Sequence, residues 1–290
     1  MVCIKTRKSI TDDLIMPSSY KFQKTPALTK LLQVIDEFKL QIETQKILQP
    51  TLWTTIQEKL RVEWTYNSNA IEGSTLTRGE TLFFLQEGLT VEGKPFKDFL
   101  DARNHAQAID YLHQVIKDSR PITSGLIKEI NALLLLGVTY TDAMTETGKK
   151  VKKPATPGQY KRLPNHVLQA DGTIHHYTEP LQVPDEIEKL CQWIQDHFIT
   201  QHALITGAIA HYNLVRVHPF DDGNGRGARI LMNLILIKKG YPPAIVKQEQ
   251  RRQYLVTLNQ ADRGELAPFL TFMAQSLIDT QRIMLEDIQN

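Results

Sequence analysis

The sequence predicts an all-α, mainly helical protein with one β-hairpin. Apolar residues recur at helical spacing through most of the 290 residues. Capping signals punctuate those stretches. Glycine and proline crowd into a single stretch, Gly137 to Val183, which also holds the strand-like pattern.

Taken in order, Leu28, Leu31, Leu32, Ile35, Phe38 and Ile42 fall on one helix face. Trp53, Ile56, Leu60 and Trp64 form a second stripe, and both read as core packing. Gly73 stops the second helix. Thr77 and Glu80 have the spacing of a capping box, opening a helix that ends near Gly88. Pro95 suits the first position of a long helix through Lys117. Thr123 to Leu136 is another helix. Within the Gly/Pro-rich stretch, Asp171-Gly172 between short semi-apolar runs signals a hairpin over residues 165–177, although composition fits a surface loop as well. Helices resume at Pro184. The nearly uncharged Ala203–Val217 reads as a buried central helix, and an apolar helix through Ile237 follows. Gln250–Gln260 and Leu266–Asp287 complete the chain.

Composition narrows the function classes. Hydrophobic residues make up 41%, charged residues 23%, and net charge is +2, which is ordinary globular composition. With no basic stripe interleaved with aromatics, nucleic-acid binding is not expected. The longest apolar runs, Ala132–Leu136 and Ile230–Ile237, are too short for a membrane span. Cys3 and Cys191 make neither a disulfide framework nor a four-ligand zinc site. No apolar stretch of signal-peptide length follows Lys5, Arg7 and Lys8, so a cytoplasmic protein is expected.

Residues 218–229 read His-Pro-Phe-Asp-Asp-Gly-Asn-Gly-Arg-Gly-Ala-Arg, a polar turn between two apolar helices. Its glycines let backbone approach a ligand closely. The helix opening at about Gly225 offers free N–H groups to an anion. Arg226 and Arg229 share one face of that helix, an arrangement suited to a polyphosphate. Asp222 is a hard oxygen ligand beside that site, and magnesium needs few protein carboxylates when phosphates supply the rest. His218 can take a proton near neutral pH. The turn is neither a P-loop nor a calcium loop, since no Gly-Lys-Ser/Thr follows and Asn233 stands where a calcium loop has its twelfth-position glutamate.

HPFDDGNGRGAR resembles the signature of the Fic family, HPFx(D/E)GNGRxxR, at every position. The resemblance extends over much of residues 95–275 and implies a Fic fold that transfers AMP from ATP to a Ser, Thr or Tyr hydroxyl of a target protein. It makes His218 the base and Phe220 a buried anchor. Asp222 becomes the Mg2+ ligand. Gly223, Asn224 and Gly225 would hold the α-phosphate, Arg226 the β-phosphate and Arg229 the γ-phosphate, with His218, Asn224 and Arg226 as the catalytic set. Tyr254 and Leu255 lie where relatives line the adenine pocket, as does Asp262, where many relatives have a neutral amide. The 165–177 hairpin matches the flap that registers an extended target segment.

Ser68-Asn69-Ala70-Ile71-Glu72-Gly73 matches the family's upstream inhibitory pattern, [S/T]xxxE[G/N]. Alone, that pattern is only a helix end with a surface acid. With the motif downstream, the resemblance implies that Glu72 pairs with Arg229 and fills the γ-phosphate site. It divides the chain into 1–94, a helical region carrying the inhibitory motif, and 95–290, the catalytic core. Self-modification and a homodimer are further expectations by family analogy. Removal of AMP, transfer of another nucleotidyl or phosphoryl group, and a nucleotide-regulated helical interaction module are the alternatives.

Overall fold

The protein is described here by a computed structural model covering residues 18–144, 150–165, 167–168 and 174–289. Ten α-helices carry the fold among these residues. They are α1 (Pro26–Leu48), α2 (Pro50–Ile71), α3 (Arg78–Glu87), α4 (Phe96–Lys117), α5 (Ser124–Leu134), α6 (Val183–His197), α7 (Ala203–Val217), α8 (Asn224–Lys238), α9 (Arg251–Asp262) and α10 (Leu266–Gln289).

Local chemistry sets the boundaries. Thr25 and Thr123 cap α1 and α5 by accepting from Leu28 and Leu126 N–H. Thr77 and Glu80 form the reciprocal box at α3, which ends at Gly88 in the left-handed conformation. Pro95 is the cap of α4 rather than its first helical residue.

Two antiparallel strand pairs interrupt the helices. Val167–Leu168 (β3) pairs with Ile174–His175 (β4) inside the expected hairpin; the Asp171-Gly172 turn lies outside the described residues. Sequence reading did not foresee a second ribbon, Tyr140–Met144 (β1) against Lys150–Pro154 (β2). It shows no apolar alternation because Tyr140 and Val151 both face solvent.

Helix α8 is buried on every side and joins two apolar clusters. Leu231, Met232 and Ile235 pack with α6, α7, α9, α10 and the start of α1. Ile230 and Leu234 pack with Ile56, Leu60 and Trp64 of α2, Leu112 of α4 and Ile130 of α5. Gly207 of α7 lets the two central helices touch, since a Cβ there would meet Met232 O at 3.1 Å. The loop between α7 and α8 is therefore held at both ends by packed core. Helix α1 lies along α10, where Gln281 donates to the Ile35 carbonyl at 2.9 Å. No helix among the described residues is long and apolar enough to cross a membrane.

Candidate active site

Helix α7 ends at Val217, and His218 caps it in the left-handed conformation (φ 51°, ψ 59°), its N–H bonded to Leu214 O at 3.0 Å. A non-glycine residue held there points to a constrained position. Pro219 prevents the helix from continuing. Phe220 is buried and packs on Tyr160 at 5.7 Å between ring centres, so it anchors the turn. The Asn224 carboxamide closes a ring on the Phe220 backbone, accepting its N–H at 3.0 Å and donating to its carbonyl at 2.8 Å. This use of Asn224 is structural and leaves its second N–H for a ligand.

Gly223 turns the chain into α8 at φ 79°, and a Cβ there would come within 3.1 Å of Asn131 Nδ2. Asn131 of α5 ties the turn down, donating to Asp222 O at 2.9 Å and accepting from Gly158 N–H at 3.0 Å. Asp221 is held by Lys153 of β2 at 2.6 Å and Thr156 at 3.1 Å. Asp222 Oδ1 accepts from Gly223 N–H at 2.6 Å, and the side chain is a third exposed.

The two motif arginines diverge. Arg226 donates to Asp101 of α4 at 2.7 Å and lies 3.5 Å from Asp222. Asp101 is buried and also accepts from Lys97 at 2.5 Å. Arg229, 3% exposed, turns to the last turn of α2. Its Nε donates to Ser68 Oγ at 3.0 Å, and its Nη2 donates to Ser68 O at 2.8 Å and to Glu72 Oε1 at 2.7 Å. Burial would raise the Glu72 carboxyl, but the charges of Arg229, Arg226 and Arg251 outweigh it and hold the group below its ordinary value. A Cβ built on Gly225 would fall on that same carboxylate oxygen. Glu72 thus lies across the first turn of α8, where free N–H groups attract an anion. Gly73 (φ 100°) turns the chain away immediately afterwards, and Arg251 holds the helix end by donating to Ile71 O at 2.7 Å.

His218 is half-buried, and the Tyr177 ring stacks on it at 3.9 Å and 21°. Burial, with help from Lys161, His175 and Lys153, pushes its pKa down to about 3, while the Val215 carbonyl pulls the other way. The ring is therefore neutral at physiological pH and able to accept a proton.

The structure brings Ser68, Glu72, Gly225 and Arg229 into one cluster, with Asp222 and His218 on the same turn. Tyr254 is buried beside it, its ring centre 6.0 Å from the Arg229 guanidinium and its hydroxyl 3.0 Å from His211 Nε2. Leu255, one residue on, is 39% exposed. Asp262 accepts from Tyr212 at 3.1 Å and lies 3.9 Å from His175 of the flap. Sequence reading missed Asp101, Asn131, Lys161 and Tyr177, which reach the turn from other elements, and gave no role to Asp221 within the turn. Among the described residues, no group of three His, Cys, Asp or Glu side chains could hold a metal by itself.

Comparison with known proteins places this geometry. Residues 121–236 match the Fic/DOC family. The chain is similar to protein adenylyltransferase Fic of Nematostella vectensis, 32% identical over 216 residues, covering 72% of this chain and 45% of the relative. Its likeness to protein adenylyltransferase fic-1 of Caenorhabditis elegans is 31% over 215 residues, covering 73% and 39%. The chain thus spans less than half the length of these curated relatives. Among solved structures, a Fic-domain-containing signaling protein of Bacteroides thetaiotaomicron superposes with a TM-score of 0.78 at 27% identity, covering 88% of this chain and 97% of that one. Fic-1 of C. elegans shares the fold, with a TM-score of 0.73 at 24% identity over 90% and 73% of the two chains. With the signature turn, the helical frame around it and these likenesses in agreement, the chain belongs to the Fic family.

Proposed function

We propose that this protein transfers AMP from ATP to a hydroxyl side chain of a target protein, and that Glu72 restrains the reaction. The observation that carries the reading is the Glu72 carboxylate, bound to Arg229 and lying over Gly225 on the turn that bears His218. An anion site built from a helix N-terminus and a buried arginine suits the γ-phosphate of a nucleotide, and an acid of the chain already fills it.

Neutral His218 accepts the proton of the target hydroxyl. The freed oxygen attacks the α-phosphorus in line, an O–P bond forms, the bond to the β-phosphate oxygen breaks, and pyrophosphate leaves. Backbone N–H groups at Gly223 and Gly225 and the remaining Asn224 N–H stabilise charge on the α-phosphate. Arg229 takes the γ-phosphate once Glu72 withdraws. Arg226 is fixed by Asp101 and contributes its charge to the β-phosphate from that position.

Asp222 fits as the protein's ligand to a magnesium ion, because it is a third exposed and one carboxylate suffices where phosphates supply the other oxygens. When bound, the ion neutralises charge on the polyphosphate. The target segment is read as pairing along the flap, 165–177, while Tyr254 and Leu255 are the adenine-side residues. We read the helical part of 1–94 as the regulatory region and 95–290 as the catalytic one.

The test incubates wild type, Glu72→Gly and His218→Ala with α-labelled ATP, magnesium and candidate targets. Label on protein with Glu72→Gly and none with His218→Ala supports the reading. ATP bound by Glu72→Gly without transfer favours the interaction module. Loss of AMP from a pre-modified target by wild type favours the reverse reaction, with Glu72 directing water.

A further inference from the structure

The imidazole of His218 has an unused neighbour. Lys161, on the segment ahead of the flap, is a lysine only 3% exposed. Lysines are seldom buried without a reason. Its ammonium donates to Asn165 Oδ1 at 2.7 Å and reaches Val217 O at 3.5 Å, and its backbone N–H donates to Pro219 O at 2.8 Å. Asn165 in turn donates to Phe220 O at 2.9 Å. The carbonyls just before and just after His218, and the next one, are therefore all gripped by two side chains and one backbone group of a single short segment. That grip holds the left-handed turn at His218. The same ammonium lies 5.8 Å from the centre of the Tyr177 ring, whose face stacks on the imidazole.

We propose that Lys161 is a positioning residue for His218: it braces the turn on both sides of the histidine and sets a buried positive charge beside it, keeping the imidazole neutral and aimed for proton transfer. The inference rests on His218 acting as the general base, as proposed above. The groups facing the imidazole agree with it. Burial is the largest influence, Lys161 the next, and His175 and Lys153 act in the same direction. Lys161 itself is pushed down to about 8 by burial and by Lys153, against Glu179 and Asp221, so it is charged at neutral pH. A protonated His218 would be repelled by that buried charge.

The test is made in the Glu72→Gly protein with labelled ATP. Lys161→Met should lower kcat for transfer about tenfold to hundredfold, as expected when a general base is misplaced or mis-protonated, and leave KM for ATP within about twofold. The acid limb of its pH profile should move to higher pH. Lys161→Arg restores charge and donors, so it should return the limb to its original position and recover most of kcat. A Lys161→Met protein with unchanged kcat and unchanged acid limb overturns the proposal, as does Lys161→Arg behaving like Lys161→Met. Should Lys161→Met fail to fold, Lys161→Gln keeps a donor without the charge and is held to the same outcomes. A 15N-imidazole titration, with His218 assigned by comparison with His218→Ala, needs no transfer activity. A resonance that stays neutral through pH 5 in the Lys161 protein and titrates higher in the Gln variant supports the proposal even if the transferred group proves not to be AMP. Protonation near the ordinary histidine value of about 6.5 in both overturns it.

Discussion

Glu72 Oε1 accepts a 2.7 Å hydrogen bond from Arg229 Nη2, joining the end of α2 to the first turn of α8 across the anion site. The two partners are unequal: the Glu72 side chain is 42% exposed and Arg229 is 3% exposed. The glutamate can withdraw into water, whereas the arginine stays where it is. On the proposed function, this contact is a releasable plug on a fixed receptor.

Replacing Glu72 with glycine should raise the AMP-transfer rate about tenfold or more. A charge-assisted hydrogen bond is worth about 1.5–3 kcal/mol, and solvent screening of the exposed partner takes the lower end. The melting temperature should fall only slightly. Steady-state label incorporation measures the first and a thermal melt the second; an equal rate in both proteins rejects the plug.

Arg229→Ala should abolish transfer even in the Glu72→Gly background, because the γ-phosphate then has no receptor. It should also destabilise the fold by about 2 kcal/mol, less than the usual cost of breaking a fully buried pair, since Glu72 already meets water. Urea unfolding alongside nucleotide calorimetry separates the effects. Unimpaired ATP binding by the double variant would count against Arg229 as the receptor.

Asp101 is the counterpart on the other arginine. Both Arg226 and Asp101 are buried, so Asp101→Asn leaves a buried guanidinium short of charge and should cost about 3 kcal/mol. Transfer should fall as well, because Arg226 loses its fixed direction. Urea melts that overlay those of wild type would show that the pair carries little.

Much of this was legible in the chain. The nearly uncharged run 203–217 is helix α7 with the same ends, and the capping box at Thr77 opens α3 as read. The turn from His218 to Arg229 and the Ser68–Gly73 pattern could be read because their residues adjoin in sequence. Asp101, Asn131 and Lys161 could not. A buried acid 125 positions from Arg226 has no local signature, and only the packing of α4 against α8 brings it there. The β1–β2 ribbon escaped notice because its buried position, Thr141, is polar and its apolar Tyr140 and Val151 are exposed, so no apolar period betrays it.

Acid should destabilise the protein well before its carboxylates titrate. His105 and His211 are fully buried, and burial, reinforced by Arg229, holds both well below 6.5. Between the folded and unfolded values the unfolded chain binds more protons, so stability rises with pH in that window. It should be fully present above about pH 7 and be lost as pH falls below about 6.5, each histidine contributing up to about 1.4 kcal/mol per pH unit. Urea melts at pH 5, 6, 7 and 8 test this. Equal stability at pH 5 and 7 would contradict the buried neutral state.

Gly225→Ala tests the position of the Glu72 carboxylate independently of any assay. Alanine normally gains about 0.5–1 kcal/mol over glycine inside a helix. Here its Cβ would land on Glu72 Oε1, the end of a flexible side chain, so the carboxylate must shift and strain its bond to Arg229. In wild type the substitution should therefore be neutral or destabilising. In the Glu72→Gly background the nearest remaining atom to the Cβ is Arg229 Nη1, at 3.4 Å, and the helical gain should appear. The four melts form a double-mutant cycle with an expected coupling of about 1 kcal/mol, within the range found for residues in contact. Additive effects would mean that Glu72 spends its time away from Gly225, and the anion site would then be open without any releasing signal.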